Sequence, residues 1–110
     1  MAGTPPLDAI RAWLGVPATI VDDAALQQVV DAEALIQERQ VTLPTDAVGD
    51  TYLTADLVQA LYRRVGREIA AKGVPLGVLG VESEYGPARL TSWDAEIDRL
   101  EASRRRFVFG

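Results

Sequence analysis

A stripe of large aliphatic residues constrains the fold of this chain more than any other feature. Its members are Leu57, Leu61, Val65 and Ile69, which recur every four residues. This spacing is that of one face of an amphipathic α-helix, because a helix repeats every 3.6 residues whereas a strand alternates every two. Thr54 is suited to cap the start of such a helix, and Lys72 followed by Gly73 is suited to end it. The pattern predicts a helix over residues 54–72.

Two weaker helical patterns precede this stretch. Thr4 followed by two prolines indicates the start of a helix over residues 6–14. Asp22 and Asp23 indicate the start of another over residues 23–39, because acids are favoured at a helix N-terminus. The alternative use of this acidic pair is a divalent cation site. Two adjacent carboxylates supply too few of the six or more oxygens that calcium takes, so the helix start is the better interpretation.

The second half of the chain has a long glycine-containing region before its last predicted helix. Residues 73–92 show no clear periodicity, which predicts a loop. The run 73–80 has three glycines but no Gly-Lys-Ser/Thr, so it does not match a phosphate-binding loop. The run Thr91-Ser92-Trp93-Asp94 matches a capping box, which predicts a helix over residues 93–103.

These patterns predict an all-α fold, a small bundle of about four helices. We expect one helical domain over residues 1–103, followed by an extended C-terminal tail, residues 104–110. A chain of 110 residues with 48% hydrophobic residues can bury a modest core. No apolar run approaches the roughly 20 residues of a membrane-spanning helix. The first residues have neither the basic nor the apolar region of a signal peptide, and we expect none.

The chain contains no cysteine and no histidine. Disulfides, thiolate nucleophiles, the commonest general base and the commonest transition-metal ligands are therefore excluded. Catalysis would have to use carboxylates, arginine, Lys72, tyrosine or hydroxyl groups, and we expect no cofactor and no metal.

Charge is unevenly distributed along the chain. Residues 1–57 carry nine acids and two bases, and residues 58–110 carry nine bases and seven acids. The net charge of −5 argues against a dedicated nucleic-acid-binding protein, whose affinity comes mainly from neutralising phosphates. An acidic first half and a more basic second half suit a contact in which one face of a subunit meets a different face of its neighbour.

One carboxylate lies on an otherwise apolar helix face. Glu33 falls near the centre of the face that contains Leu26, Val29, Val30 and Ile36. Because an unpaired buried charge is costly, we expect Arg63, Arg64 or Arg67 of the same or a neighbouring subunit to pair with Glu33. A catalytic acid with a raised pKa is the alternative. The residues predicted to form a subunit interface are Asp22, Asp23, Glu33, Arg63, Arg64 and Arg67.

The chain resembles the small head–tail connector (adaptor, or head-completion) proteins of long-tailed bacteriophages, in particular those of actinobacterial phages. Six segments carry the resemblance, and their order and spacing extend over nearly the whole length. They are Ile10–Gly15, Asp22-Asp23, Ile36–Arg39, Asp56–Val65, Gly73–Val78 and Arg104–Gly110. None of them is a catalytic signature.

The resemblance implies a structural virion protein of the phage neck, without enzyme activity. Its subunits would form a closed, usually dodecameric ring beneath the portal protein in the virion. They would be present in the host cytoplasm during assembly. Such a ring extends the channel through which genomic DNA passes without sequence-specific binding, and it provides the docking face for the next neck, stopper or tail protein. No membrane is involved.

The end of the chain is the predicted contact with the portal. The residues concerned are Arg104, Arg105, Arg106, Phe107, Val108 and Phe109. Aromatic and β-branched residues at a chain end have little local structure to bury them, so we expect the tail to be loosely held until a partner orders it. The two phenylalanines could instead fill the core of their own domain.

Two other functions fit the sequence. One is a small interaction module or transcription regulator, in which residues 54–72 form half of a helix-turn-helix, although no basic recognition helix follows. The other is a helical enzyme that uses Glu33 and a neighbouring carboxylate. That function requires a substrate-sized pocket that holds at least two acids.

Overall fold

The computed structural model describes residues 4–72 and 86–105, with the backbone alone described for residues 86–92. Four α-helices follow one another along the chain: α1 (Leu7–Leu14), α2 (Asp23–Gln40), α3 (Ala55–Ala71) and α4 (Gly86–Glu101). A single turn of 3-10 helix, Ala102–Arg104, follows α4. The described residues form no β-strand, only two isolated bridges, Val41 with Arg105 and Thr45 with Thr51. The predicted all-α bundle is confirmed.

Helix α3 is the centre of the bundle, because it contacts each of the other three helices. Its stripe of aliphatic residues is fully or almost fully buried, as the four-residue repeat predicts. The main core combines Leu61, Val65 and Ile69 of α3 with Ile10 and Leu14 of α1, Leu26 and Val30 of α2, and Trp93 of α4. A smaller cluster joins Leu57 to Val41 and Leu43 of the connection that follows α2.

Helix α3 approaches α1 and α4 closely at a glycine. A Cβ atom added to Gly66 would lie 2.5 Å from Cζ3 of Trp93 and 2.8 Å from Cδ2 of Leu14. Gly66 therefore allows the Trp93 ring to lie against the backbone of α3. Trp13 lies 5.9 Å from Trp93 and stacks on Tyr62 at 5.3 Å, measured between ring centroids.

A single arginine holds the connection between α1 and α2. Helix α1 ends at Gly15, whose φ of +67° is the left-handed conformation that glycine adopts without strain. Arg11 then donates hydrogen bonds to the carbonyl oxygens of Val16 (3.0 Å) and Val21 (2.8 Å) and to the carboxylate of Asp23 (2.7 Å). The apolar segment between the two helices is thereby fixed against the bundle.

One predicted N-cap and one predicted helix start are wrong. The residue that precedes α1 is Pro6 and not Thr4, and the carbonyl of Pro6 accepts the first helical hydrogen bonds. Helix α4 begins at Gly86, so residues 86–92 of the predicted 73–92 loop are helical and Thr91 lies within the helix. The sequence Gly86-Pro87 was interpreted as part of a loop, whereas proline is also favoured in the first turn of a helix. The rest of that predicted loop lies outside the described residues.

Candidate functional site

A network of buried polar side chains lies where α2, α3 and α4 meet. Arg64 of α3 donates to both carboxylate oxygens of Glu101, from Nη2 at 2.6 Å and from Nε at 2.8 Å. The side chains of Arg64 and Glu101 are 3% and 0% exposed. Gln37 donates from Nε2 to Glu101 (2.9 Å) and to the carbonyl of Leu57 (3.0 Å), and Gln40 accepts from Arg64 (2.6 Å). The network joins three helices through charge-assisted hydrogen bonds.

This network corrects the interpretation of Arg64. The sequence placed Arg64 with Arg63 and Arg67 on a solvated or interfacial side of α3. Arg64 is instead buried and binds Glu101 and Gln40 of its own chain. Reversing its charge would therefore leave two like charges inside the bundle, so such a variant cannot report on a subunit interface.

The sequence analysis did not identify Glu101 or Gln37 as buried residues. A usable signal was present for Glu101, because Trp93, Ile97 and Glu101 recur every four residues and share one face of α4. A charged residue that continues an apolar stripe indicates a buried partner of opposite charge.

A groove of about 620 Å³ that is open to solvent lies between α2 and the end of α3. Its apolar wall is formed by Ile20, Val21, Ala25, Val29, Ala32, Ile36 and Ile69. Ile20 and Ile36 are 54% and 38% exposed, which is high for large aliphatic side chains. The groove explains why the apolar face predicted for α2 is so wide. Leu26 and Val30 fill the core, whereas Val29 and Ile36 line the groove.

Glu33 lies at the boundary between the core and the groove. The residue is 7% exposed, and its Oε1 atom has no hydrogen-bond partner. Burial raises the pKa of the Glu33 carboxyl, and the charge of Glu68 acts in the same direction, while Arg64 and Arg67 lower that pKa in part. The subunit therefore holds an incompletely satisfied carboxylate on the surface of an apolar groove.

The predicted pairing of Glu33 with one of three arginines is wrong within the subunit. Arg64 binds Glu101, and Arg67 binds Asp94 at 2.6 Å. Arg63 donates to Gln59 and lies over the ring of Trp13, 5.3 Å from its centroid. Each of these guanidinium groups is directed to another residue, so none reaches Glu33.

The two acids at the start of α2 have roles inside the subunit. Asp22 caps the helix, because its side chain accepts from the backbone N–H of Ala25 at 2.8 Å. Asp23 pairs with Arg11 at 2.7 Å and is 80% exposed. Asp22 also lines the groove, together with Glu68 and Lys72, which form an exposed pair at 3.9 Å. Glu68 and Lys72 were not among the predicted interface residues.

The first two residues of the predicted tail belong to the folded domain. The carbonyl of Arg104 accepts from the N–H of Thr42 at 2.7 Å. Arg105 forms an antiparallel bridge with Val41 and pairs with Asp98 at 2.6 Å. The expectation of a loosely held chain from residue 104 onward is therefore not met at these two positions. Arg106, Phe107, Val108 and Phe109 lie outside the described residues.

The groove offers three carboxylates, of Asp22, Glu33 and Glu68, and one ammonium group, of Lys72. Within residues 4–72 and 86–105, no three acidic side chains lie close enough together to hold a metal ion. Only Glu33 of these acids is buried. The arrangement is therefore suited to binding a partner that is apolar and positively charged.

No protein family, curated protein or solved structure matches this chain. None of the helices described here is both long and apolar enough to cross a membrane. The resemblance to phage connectors stays a prediction, and the groove is the feature of the subunit on which a functional proposal can be built.

Proposed function

We propose that this protein is a structural subunit of a bacteriophage neck, a head–tail connector that assembles into a closed ring beneath the portal. It is not an enzyme in this proposal, and it provides the docking face for the next neck or tail protein. The resemblance of six segments to connector proteins supports this function. The observation that carries the proposal is the α2–α3 groove, an open apolar surface beside an unpaired carboxylate.

The charges of the groove favour a ring over a twofold dimer. If two grooves met face to face, a surface with three acids and one lysine would meet a second copy of itself, and like charges at a contact are unfavourable. The groove is better matched by a different, basic surface of the neighbour. Such a head-to-tail contact forms a closed ring when the rotation between subunits closes, and it forms a filament otherwise.

Electron microscopy of the negatively stained full chain, alone and mixed with its portal protein, tests this proposal. We expect closed rings of uniform diameter that attach to one end of the portal. Native mass spectrometry of the same samples gives the subunit number. A protein that stays monomeric at all concentrations and does not bind the portal would contradict the proposal.

One observation favours a second function, an enzyme that uses acid–base chemistry. Glu33 has a raised pKa and shares the groove with Glu68. A carboxyl with a raised pKa can donate a proton as a general acid. Glu68, however, is 47% exposed and paired with Lys72, and the groove is open to solvent. A catalytic role predicts that Glu33→Gln leaves assembly unchanged, whereas a role in the subunit contact predicts that it weakens assembly.

A further inference from the structure

The α2–α3 groove is short of one positive charge. Of the charged residues described in its lining, Asp22, Glu33 and Glu68 are acidic and Lys72 is basic. Lys72 already lies 3.9 Å from Glu68, and Oε1 of Glu33 is buried without a hydrogen-bond partner. Because such a buried carboxylate oxygen is costly, a guanidinium or ammonium group that reaches Glu33 would be bound favourably. The apolar wall of the groove requires apolar side chains around that group.

Arg63 can supply this charge, unlike the other two arginines that were expected to meet Glu33. Those two each pair with an acid of α4. Arg63 donates from Nη1 to the side chain and the carbonyl of Gln59, which are uncharged, and it forms no ion pair within the described residues. Its charge acts weakly on Glu96, but Arg99 binds that carboxylate at 2.6 Å. Arg63 therefore still lacks a carboxylate partner among the described residues.

Arg63 belongs to a surface with the required chemistry, which we name the arginine–aromatic face: Trp13, Tyr62 and Arg63. The guanidinium carbon lies 5.3 Å from the centroid of the Trp13 ring, and the Trp13 and Tyr62 rings stack with centroids 5.3 Å apart. All three side chains are partly exposed. Arg39 and Arg104 also form no ion pair within the described residues, but among the arginines described here it is Arg63 that lies over an aromatic ring. The face thus presents one positive charge among large apolar side chains.

The face and the groove lie on opposite sides of α3. Arg63 and Lys72 are nine residues apart, which is about two and a half helical turns, so they point in opposite directions from the helix axis. Lys72 lines the groove. A subunit therefore cannot place its own Arg63 in its own groove, whereas the next subunit can. A contact between two different faces repeats from copy to copy and produces a ring or a filament.

We propose that the α2–α3 groove of one subunit binds the arginine–aromatic face of the next, with the Arg63 guanidinium on the Glu33 carboxylate and the rings of Trp13 and Tyr62 against the apolar wall at Ile36. This inference rests on the proposed self-assembly and names the contact that would produce it. Of the three arginines expected at the interface, it selects the one that binds no acid within the described part of its own subunit.

Mixing two full-length variants tests the contact. Ile36→Glu blocks the groove and keeps the face, whereas Arg63→Glu reverses the charge of the face and keeps the groove. Each alone is expected to be monomeric, and circular dichroism checks that each is helical. Mixed one to one, they should form a heterodimer and nothing larger in native mass spectrometry, because one intact groove and one intact face are present. Arg39→Glu is the matched control and should assemble normally, since Arg39 is exposed and does not line the groove.

A double-mutant cycle on this heterodimer tests the ion pair. Glu33→Gln is added to the subunit that supplies the groove, and Arg63→Gln to the subunit that supplies the face. Each is expected to raise the Kd measured by calorimetry about tenfold, and both together should raise it far less than a hundredfold. Independent, multiplicative effects would overturn the pairing of Glu33 with Arg63. If Arg63→Glu does not fold, Arg63→Gln replaces it, and weaker assembly of that variant is the expected result.

The outcomes separate this contact from the ring. Rings that persist in Arg63→Glu, or that are lost equally in Arg39→Glu, would overturn the contact and leave the ring proposal standing. A mixture that stays monomeric where the unaltered protein assembles would also overturn the contact. Heterodimers from the mixture, with open filaments from the unaltered protein, would support the contact and overturn the ring. An unaltered protein that is monomeric at all concentrations would overturn both.

Discussion

The guanidinium group of Arg64 and the carboxylate of Glu101 form a two-point ion pair at 2.6 and 2.8 Å in the interior of the bundle. They lie on different helices, and both side chains are almost completely removed from solvent. Gln37 and Gln40 of α2 bind the same pair, as does Arg105 beyond α4, so the pair fixes the packing of α2 and α4 against α3.

Removing one member of this pair is expected to be far worse than removing both. Glu101→Leu and Arg64→Met should each lower the free energy of unfolding by about 3–5 kcal/mol, because each leaves an unmatched buried charge. The double variant should lose much less than the sum. Urea denaturation of the four proteins measures this coupling. Arg67→Met is the exposed control and should cost under about 1 kcal/mol, and strictly additive losses at Arg64 and Glu101 would contradict the account.

Gly66→Ala is expected to destabilise the protein even though alanine is the better helix former. The new methyl group would overlap the Trp93 ring and the Leu14 side chain, and overpacking of this kind costs about 1–3 kcal/mol. Thermal unfolding followed by circular dichroism measures the loss. Adding Trp93→Phe, which removes the ring atoms nearest to Gly66, should restore part of it. A gain in stability from Gly66→Ala alone would mean that α3 and α4 do not approach as closely as described.

Glu33 is expected to make the unassembled subunit less stable as the pH rises. Burial raises its pKa above the ordinary value of 4.5, so between the unfolded and the folded pKa the folded chain binds more protons. The free energy of unfolding must then fall as the pH rises through that window. Glu33→Gln should therefore stabilise the subunit more at about pH 7 than at about pH 4.

The Asp56 carboxyl is expected to give the opposite dependence of stability on pH, so it serves as the control for Glu33. A hydrogen bond from the Thr54 hydroxyl lowers the pKa of the Asp56 carboxyl below 3.8. Its stabilising contribution is present above the unfolded pKa and is lost as the pH falls through the folded pKa. Asp56→Asn should therefore reduce stability at neutral pH and matter less in acid. A Glu33→Gln effect that does not change with pH would show that the carboxyl is not desolvated.

Arg11 is expected to be required for the order of the segment between α1 and α2. Arg11→Met removes hydrogen bonds to two carbonyl groups and should lower the free energy of unfolding by about 1–3 kcal/mol. Asp23→Asn keeps both carbonyl contacts and should have a much smaller effect, since Asp23 is 80% exposed. Hydrogen exchange of the amides of residues 16–21 provides a local readout. Equal effects of the two variants would mean that the ion pair, and not the carbonyl contacts, holds the segment.

Periodicity alone was sufficient to predict the helical fold, because the spacing of the α3 stripe depends on local geometry. Periodicity was not sufficient to predict which charged residues are buried. Arg64 and Arg67 lie three residues apart on one helix and both pair with an acid of α4, yet the Arg64–Glu101 pair is buried whereas the Arg67–Asp94 pair is exposed. That difference depends on the angle at which two helices pack, which is a tertiary property.

The candidate site could be predicted only in part for the same reason. Glu33 was identified correctly as a carboxylate on an apolar face, because that follows from the sequence of α2 alone. The groove also needs Glu68, Ile69 and Lys72, which α3 brings to α2 from more than thirty residues away. The pairing of Glu33 with Arg63, Arg64 or Arg67 was wrong within the subunit because each of those arginines has another contact there.

The most direct test of the account compares two neighbouring substitutions on α2 by native mass spectrometry of the full chain. Ile36 and Leu35 are both exposed aliphatic residues, at 38% and 46%, but only Ile36 lines the groove. The account predicts that Ile36→Glu gives helical monomers while Leu35→Glu forms the same rings as the unaltered protein. Rings that persist in Ile36→Glu, or that are lost equally in both variants, would contradict the claim that subunits assemble through the groove.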